Sequence, residues 1–202
     1  MNEKICRVSR NLLREIAELH KECFADHFLG NYPVFVIKRF YSYFLDAPFL
    51  VFRENGHIHG FLLGGDIRDL AGHKKRFISE NIPLLLLGTL LSPRIWLEAF
   101  SRLFSMGLSG FRDKGKKQGE DSAQADSGIC ILSIAVSPQM RGSGTARELV
   151  DFFEESLDPS VSAYWLAVKK DNPRAIHFYE KQGFGYYKEE GDLLYMIKRL
   201  GR

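Results

Sequence analysis

Ile129-Cys130-Ile131-Leu132-Ser133-Ile134-Ala135-Val136, followed by Ser137-Pro138-Gln139-Met140 and then Arg141-Gly142-Ser143-Gly144-Thr145-Ala146, is the stretch that decides the fold. The first eight residues are almost continuously apolar, the pattern of a strand buried on both faces. Ser137 and Pro138 end it. Beyond the glycines, Ala146, Leu149, Val150, Phe153 and Leu157 recur at helical spacing, while Arg147, Glu148, Asp151, Glu154 and Glu155 fill the opposite face. A strand, a glycine-bearing loop and a helix in that order build an anion site. The N–H groups of the helix's first turn have no intrahelical acceptor and the helix dipole is positive there, so main chain alone can bind a phosphate.

Two phosphate-loop types fail on their own residues. A nucleoside-triphosphate loop needs Lys and then Ser or Thr after its last glycine, whereas Gly144 is followed by Thr145 and Ala146. A dinucleotide G-x-G-x-x-G turn needs a third glycine where Arg147 stands. The segment instead resembles the acetyl-CoA signature R/Q-x-x-G-x-G/A of the GNAT superfamily of N-acetyltransferases, filled by Arg141, Gly144 and Ala146. A second segment makes the resemblance specific. Val161 to Val168 reads as another buried strand and leads into Asn172-Pro173-Arg174-Ala175-Ile176-His177-Phe178-Tyr179-Glu180-Lys181-Gln182-Gly183-Phe184. This is similar to the superfamily block N-x-x-A-x-x-F-Y-x-x-x-G-F at Asn172, Ala175, Phe178, Tyr179, Gly183 and Phe184. The two blocks span residues 129–184.

The resemblance implies an α/β fold: a GNAT-like twisted mixed β-sheet flanked by helices on both faces, with acetyl-CoA as cosubstrate. It implies that main chain around Ser133, Ile134, Ala135 and Val136 pairs with the pantetheine arm. Arg141, Gly142, Ser143, Gly144, Thr145 and Ala146 would then hold the pyrophosphate. Asn172 and Phe178 would contact the cofactor, and Tyr179 would be the general acid that protonates the departing thiolate. Without the resemblance, Tyr179 reads as core packing, because it shares helical spacing with Ala175 and Phe178. Asn172 followed by Pro173 reads as a helix N-cap and first-turn pair.

The 202 residues suit one domain, with 45% hydrophobic and 26% charged residues in the globular range. A net charge of +3 with scattered Lys and Arg does not point to nucleic acid. Cys6, Cys23 and Cys130 have no disulfide or metal-ligand spacing, which suits a reducing, cytoplasmic setting. His57 and His59 lack a nearby third ligand, so no metal is expected. Met1 to Arg14 lacks the apolar core of a signal peptide, and no apolar run reaches the roughly 20 residues of a membrane span.

Outside the two blocks, Ile5 to Val8 reads as a first strand, and Ser9 or Asn11 as the cap of a helix with Leu12, Ile16, Leu19 and Cys23 on its apolar face. Pro33 to Leu45 predicts a buried helix. Asn55-Gly56 joins two strand-like runs, Phe49 to Glu54 and His57 to Leu63, as a hairpin. Phe184 to Glu189 and Leu193 to Arg199 predict a closing antiparallel pair. Residues 66–128 form an insertion between the third and fourth strands of the resembled fold. Within it, Ile82 to Leu91 is apolar but interrupted by Pro83 and Gly88, Ser92-Pro93 predicts a helix start, and Arg112 to Ser127 reads as a mobile linker. The insertion could pack on the core, form a homodimer contact, or act as an acceptor lid. The basic Lys74-Lys75-Arg76 leaves membrane-surface contact open.

The expected reaction is direct transfer from acetyl-CoA to a primary amine of a small molecule such as an amino sugar. The alternatives are a protein or peptide amine, or an inactive CoA-binding, membrane-associated interaction module. The general base is the gap in the pattern. Ser133 is the one strongly polar side chain on its strand, and Glu22, Asp26 and His27 are further candidates.

Overall fold

The computed structural model describes residues 4–25, 29–90 and 128–201. In chain order the elements are β1 (Ile5–Arg7), α1 (Leu13–Cys23), α2 (Val34–Tyr41), β2 (Phe49–Glu54), β3 (His57–Asp66), α3 (Ile67–Glu80), α4 (Ile82–Leu90) and β4 (Ile129–Val136). They continue with α5 (Thr145–Glu155), β5 (Ala163–Lys169), α6 (Pro173–Lys181), β6 (Gly185–Glu190) and β7 (Leu193–Arg199). The strands form one sheet in the order β1-β2-β3-β4-β5-β7-β6. All its pairings are antiparallel except β4 with β5, which is parallel.

Side-chain alternation along the strands separates two apolar cores. One face packs Phe49, Val51, Phe61, Leu63, Cys130 and Ala135 against Leu13, Ile16 and Ala17 of α1 and Val36, Ile37 and Tyr41 of α2. The other packs Leu50, Leu62, Ile131, Leu166 and Met196 against Leu149, Val150 and Phe153 of α5 and Tyr179 of α6. A polar tie joins the second layer, where Glu154 of α5 accepts hydrogen bonds from the Tyr164 hydroxyl of β5 and the Lys198 ammonium of β7.

The decisive local feature is a β-bulge in β4. Leu63 of β3 pairs with Ser133 and Gly64 with Ile131, so Leu132 is an extra residue with no counterpart across the ladder. A bulge bends its strand and reverses which face the following side chains take. Cys130 and, past the bulge, Ala135 therefore both lie in the α1/α2 core, while Ile131, Ile134 and Val136 lie with α5 and α6. The expectation that β4 is buried on both faces holds only as far as Ile131, since Leu132 is 39% exposed and Ser133 and Ile134 are half-buried. Among the described residues β4 pairs with β5 at just two positions, Cys130↔Trp165 and Ile131↔Leu166. Past the bulge the two strands part.

The hairpin turns at Asn55 and Gly56, both at positive φ, as Asn-Gly predicts. The expected side-chain cap at Ser9 or Asn11 is not made; the chain enters α1 through a 3-10 turn at Arg10–Leu12, and the Ser9 hydroxyl bonds the Asn11 side chain instead. The helix α3 was not read from the sequence. It is capped by Asp66, whose carboxylate accepts from Arg68 N–H at 2.7 Å, and it buries Leu70 and Phe77, seven residues apart. Pro83 does not interrupt α4, because it falls in the first turn, where its missing N–H costs nothing. Asn81, between α3 and α4, is buried and pins the junction. Its amide donates to Phe77 O and to the Tyr43 hydroxyl, both at 2.8 Å, and its Oδ1 accepts from Arg39. The helix start at Ser92-Pro93 and the linker at 112–127 lie outside the described residues.

Gly64 sits opposite the bulge, where a Cβ would lie 2.7 Å from the Phe153 ring and 2.8 Å from Cys130 O. The backbone oxygen cannot yield without moving β4. Gly64→Ala is expected to lower stability by about 1–3 kcal/mol through overpacking, measured as a shift in urea midpoint. An unchanged midpoint would contradict this packing of α5 on β3 and β4.

Candidate functional site

The cleft between β4 and β5 opens toward the C-terminal ends of both strands, and each feeds a helix whose first turn faces that end. After β4, a 3-10 turn at Pro138–Met140 leads to Arg141 and the loop, and Gly144 is the N-cap of α5. Gly142 and Gly144 have φ of +86° and +94°, a region that L side chains rarely adopt, and a Cβ on either would meet nothing within 4 Å. Backbone conformation explains the glycines, and the space above them is open to a ligand. Met140 O accepts from the Ser143 hydroxyl at 2.7 Å, and Ser143 Oγ also lies 2.9 Å from Thr145 Oγ1. Thr145 is 1% exposed and its N–H donates to Ser143 Oγ at 3.4 Å, so it braces the loop from within. The first α5 bond runs from Glu148 N–H to Gly144 O, which leaves the N–H groups of Ala146 and Arg147 without an intrahelical acceptor. Arg141 is exposed beside them.

After β5, Asn172 caps α6, its Oδ1 accepting from Ala175 N–H at 3.1 Å. The capping reading of Asn172-Pro173 therefore holds, and the amide nitrogen is still available to a ligand. Tyr179 lies in the α5/α6 core with its ring against Phe178 and Phe184, at centroid distances of 5.2 and 5.6 Å. It is 8% exposed, and burial pushes its phenol up to about 12. The packing reading of Tyr179 holds, since its ring is part of the core, and its hydroxyl is protonated at neutral pH.

The cleft's other wall comes from α1 and α2, and it contains residues the sequence reading passed over. His20, 6% exposed, has its Nδ1 2.7 Å from the Tyr41 hydroxyl. Cys23 donates its S–H to Val136 O at 3.4 Å, tying the end of α1 to the end of β4. Burial pushes the Cys23 thiol up to about 11. The signal for His20 was present, as it follows Ile16 by four residues and so falls on the apolar face of α1. Glu22 is exposed at the end of α1, while Asp26 and His27 lie outside the described residues. A separate groove of about 710 Å³, lined by Arg10, Lys38, Arg39, His73 and Arg76 among others, shares no residue with the cleft.

The profile of the Acetyltransferase (GNAT) family matches residues 107–184, which span both blocks and the cleft they form. Over those residues the chain is similar to the GNAT family. It is similar to N-alpha-acetyltransferase 20 of Dictyostelium discoideum, with 33% identity over 81 residues that cover 36% of this chain and 47% of that protein. The match thus spans about half the relative's length. Among solved structures, an N-acetyltransferase from Staphylococcus aureus Mu50 superposes with a TM-score of 0.58 at 17% identity, covering 97% of this chain and 99% of the other. The PaiA N-acetyltransferase of Thermoplasma acidophilum, in complex with coenzyme A, gives 0.53 at 14% identity, covering 99% and 100%. These likenesses show the acetyltransferase fold for the described residues, a mixed seven-stranded sheet flanked by helices. No helix among the described residues is long and apolar enough to cross a membrane.

The buried phenols have a consequence for stability. Tyr41, Tyr164 and Tyr179 all have raised pKa values, chiefly from burial. In the unfolded chain they ionise near pH 10. Their contribution is whole below about pH 10 and is lost as pH rises toward the folded values. Urea midpoints are therefore expected to hold level from about pH 8 to about pH 10 and to fall steeply above it. A level midpoint through about pH 11 would contradict their burial.

Proposed function

We propose that the chain is an acetyl-CoA-dependent N-acetyltransferase that passes the acetyl group directly to a primary amine. The observation that carries this reading is the edge of β4 beyond Ile131, which β5 leaves without a strand partner among the described residues and which ends at the glycine-bearing start of α5. Backbone N–H and C=O groups along a free strand edge seek partners. The pantetheine arm is an extended chain with two amides, so it can pair there as an added strand would. Its pyrophosphate then meets the N–H groups of Gly144, Ala146 and Arg147, with Thr145 bracing the turn and the charge of Arg141 beside it. Ser133, Ile134, Ala135 and Val136 hold the arm through main chain. Gly142 and Ser143 shape the loop, and Asn172 and Phe178 border the arm on the α6 side.

Direct transfer is favoured over a covalent relay. The one thiol beside the cleft, Cys23, is held at about 11 and is almost wholly protonated at neutral pH, a poor nucleophile. In direct transfer the amine lone pair forms the C–N bond, the C–S bond breaks, and its electron pair stays on sulfur. Tyr179 supplies the proton to that sulfur. With its pKa at about 12 it is a weaker acid than a free alkyl thiol near 8.5. Acidity does not drive the step. Burial that disfavours phenolate disfavours a neighbouring thiolate equally, so the proton moves as the thiolate charge develops.

For the acceptor, the long apolar insertion between β3 and β4 suits a bulky small molecule such as an amino sugar better than the open groove a protein N-terminus needs. A second reading, a protein N-terminus, is favoured by the likeness to N-alpha-acetyltransferase 20. Thiol release with a panel of amino sugars, other small amines and N-terminal peptides is expected to single out a small amine; turnover of peptides alone would overturn the first reading. An inactive binding module would take up acetyl-CoA and release no thiol with any of them.

Tyr179→Phe is expected to lower kcat by at least tenfold with acetyl-CoA affinity within about twofold of wild type, since a proton donated only in the transition state contributes nothing to ground-state binding. Steady-state rates and calorimetry read the two separately. An equal loss in both would assign Tyr179 to packing alone.

A further inference from the structure

The cleft has an acid on one side and no carboxylate on β4 to serve as a base. On the opposite side the bulge turns Ser133 toward the α1/α2 layer, as it does Ala135, which packs there. We propose that Ser133, Tyr41 and His20 form the line that takes the acceptor's proton, with Ser133 touching the amine and Tyr41 and His20 acting through it. The inference deepens the transferase reading and rests on it.

Three observations support it. Tyr41 Oη and His20 Nδ1 are 2.7 Å apart in a buried setting, and the Ser133 hydroxyl interacts with the Tyr41 phenol from β4. The register of β4 and the α1/α2 packing thus bring the three side chains to the same side of the sheet. Second, Tyr41 cannot be the final acceptor. Burial raises its phenol well above the ordinary range, so it must give up one proton as it takes another. Imidazole is the side chain suited to hold a proton near neutral pH. Third, burying a charge on His20 costs free energy, and two features offset part of that cost. It lies in the last turn of α1, where the helix dipole favours a cation, and the rings of Phe24 and Phe61 lie at 4.7 and 6.4 Å.

The proton balance is complete. When the amine nitrogen has bonded to the acetyl carbon it carries a surplus proton, which passes to Ser133 Oγ. Ser133 passes its own proton to Tyr41 Oη, and Tyr41 passes its own to His20 Nδ1. Tyr179 has meanwhile given one proton to sulfur, so one proton exchanged through solvent resets both ends. The line requires neutral His20 with Nδ1 unprotonated before transfer. Among the described residues, Tyr41 of α2 contacts His20, and Lys21, Glu22 and Cys23 follow it on α1, with Arg141 after β4 acting on Cys23. Lys21 donates to Tyr32 O, and Glu22 and Arg141 both act on Cys23. From β3 the contact is the Phe61 ring.

The test is the pH profile of kcat/KM for a turned-over amine, with acetyl-CoA affinity and thermal unfolding measured on the same samples. Wild type is expected to lose rate toward acid as His20 protonates. Ser133→Ala and Tyr41→Phe are expected to lower kcat at least tenfold near pH 7.5, to remove that acid limb, and to leave acetyl-CoA affinity within about twofold. Ser133→Thr, which keeps the hydroxyl, is expected to restore most of the rate. Should Tyr41→Phe unfold early, Ser133→Ala on the half-buried strand decides alone. Wild-type kcat and an unaltered acid limb in Ser133→Ala would overturn the proton line while leaving the transferase reading in place. Acetyl-CoA binding without turnover of any amine would overturn both.

Discussion

One extra residue in one strand governs the geometry of the functional region. Leu132 has no partner across the ladder, so β4 bends there and leaves β5 after two paired positions. Since β3 already takes those main-chain groups of Ser133 to Val136 that face it, a β5 that stayed paired would consume the rest and offer nothing to a ligand. The same bulge reverses the facing of the later side chains, and so decides that Ser133 looks toward α1 and α2 while Ile134 and Val136 look toward α5 and α6. The cleft, its open strand edge and its two chemically distinct walls share that single cause.

The two walls do different work. The α5/α6 side brings a helix start whose first N–H groups have no intrahelical acceptor and a phenol that burial keeps protonated. The α1/α2 side brings a buried histidine and tyrosine at hydrogen-bond distance, with a cysteine tying the end of α1 to Val136. Both depend on close packing against the sheet. Gly64 lets α5 approach within contact distance of β3 and β4, and Glu154 joins that helix to β5 and β7 through Tyr164 and Lys198. A helix displaced by an ångström on either side would separate groups that have to meet across the cleft.

Much of this was legible in the sequence because it rests on local rules. The ends of β4 and β7, the Asn55-Gly56 hairpin, the glycine loop opening a helix and the Asn172 cap each follow from residues within one or two turns of one another. The bulge was not legible. Nothing in Ile131-Leu132-Ser133 differs from an ordinary apolar strand, and an extra residue is defined only against the partner strand. His20 and Tyr41 were passed over for a related reason. Each lies on an apolar helix face where packing is the ordinary role, and their link to Ser133 joins three elements far apart in sequence. The helix α3 has a local signal in the Asp66 cap, but Leu70 and Phe77, seven residues apart in a mostly polar stretch, set no clear helical period.

The central claim is that the β4 edge past the bulge and the start of α5 together hold acetyl-CoA. Amide hydrogen exchange, with and without saturating acetyl-CoA, tests it directly. The account predicts slowed exchange at Ser133 to Val136 and at Gly142 to Arg147, with β2 and the outer strand β6 unchanged. Binding that protects the α1–α3 groove around Arg39 and Arg76 instead, and leaves the β4 edge exchanging freely, would contradict it.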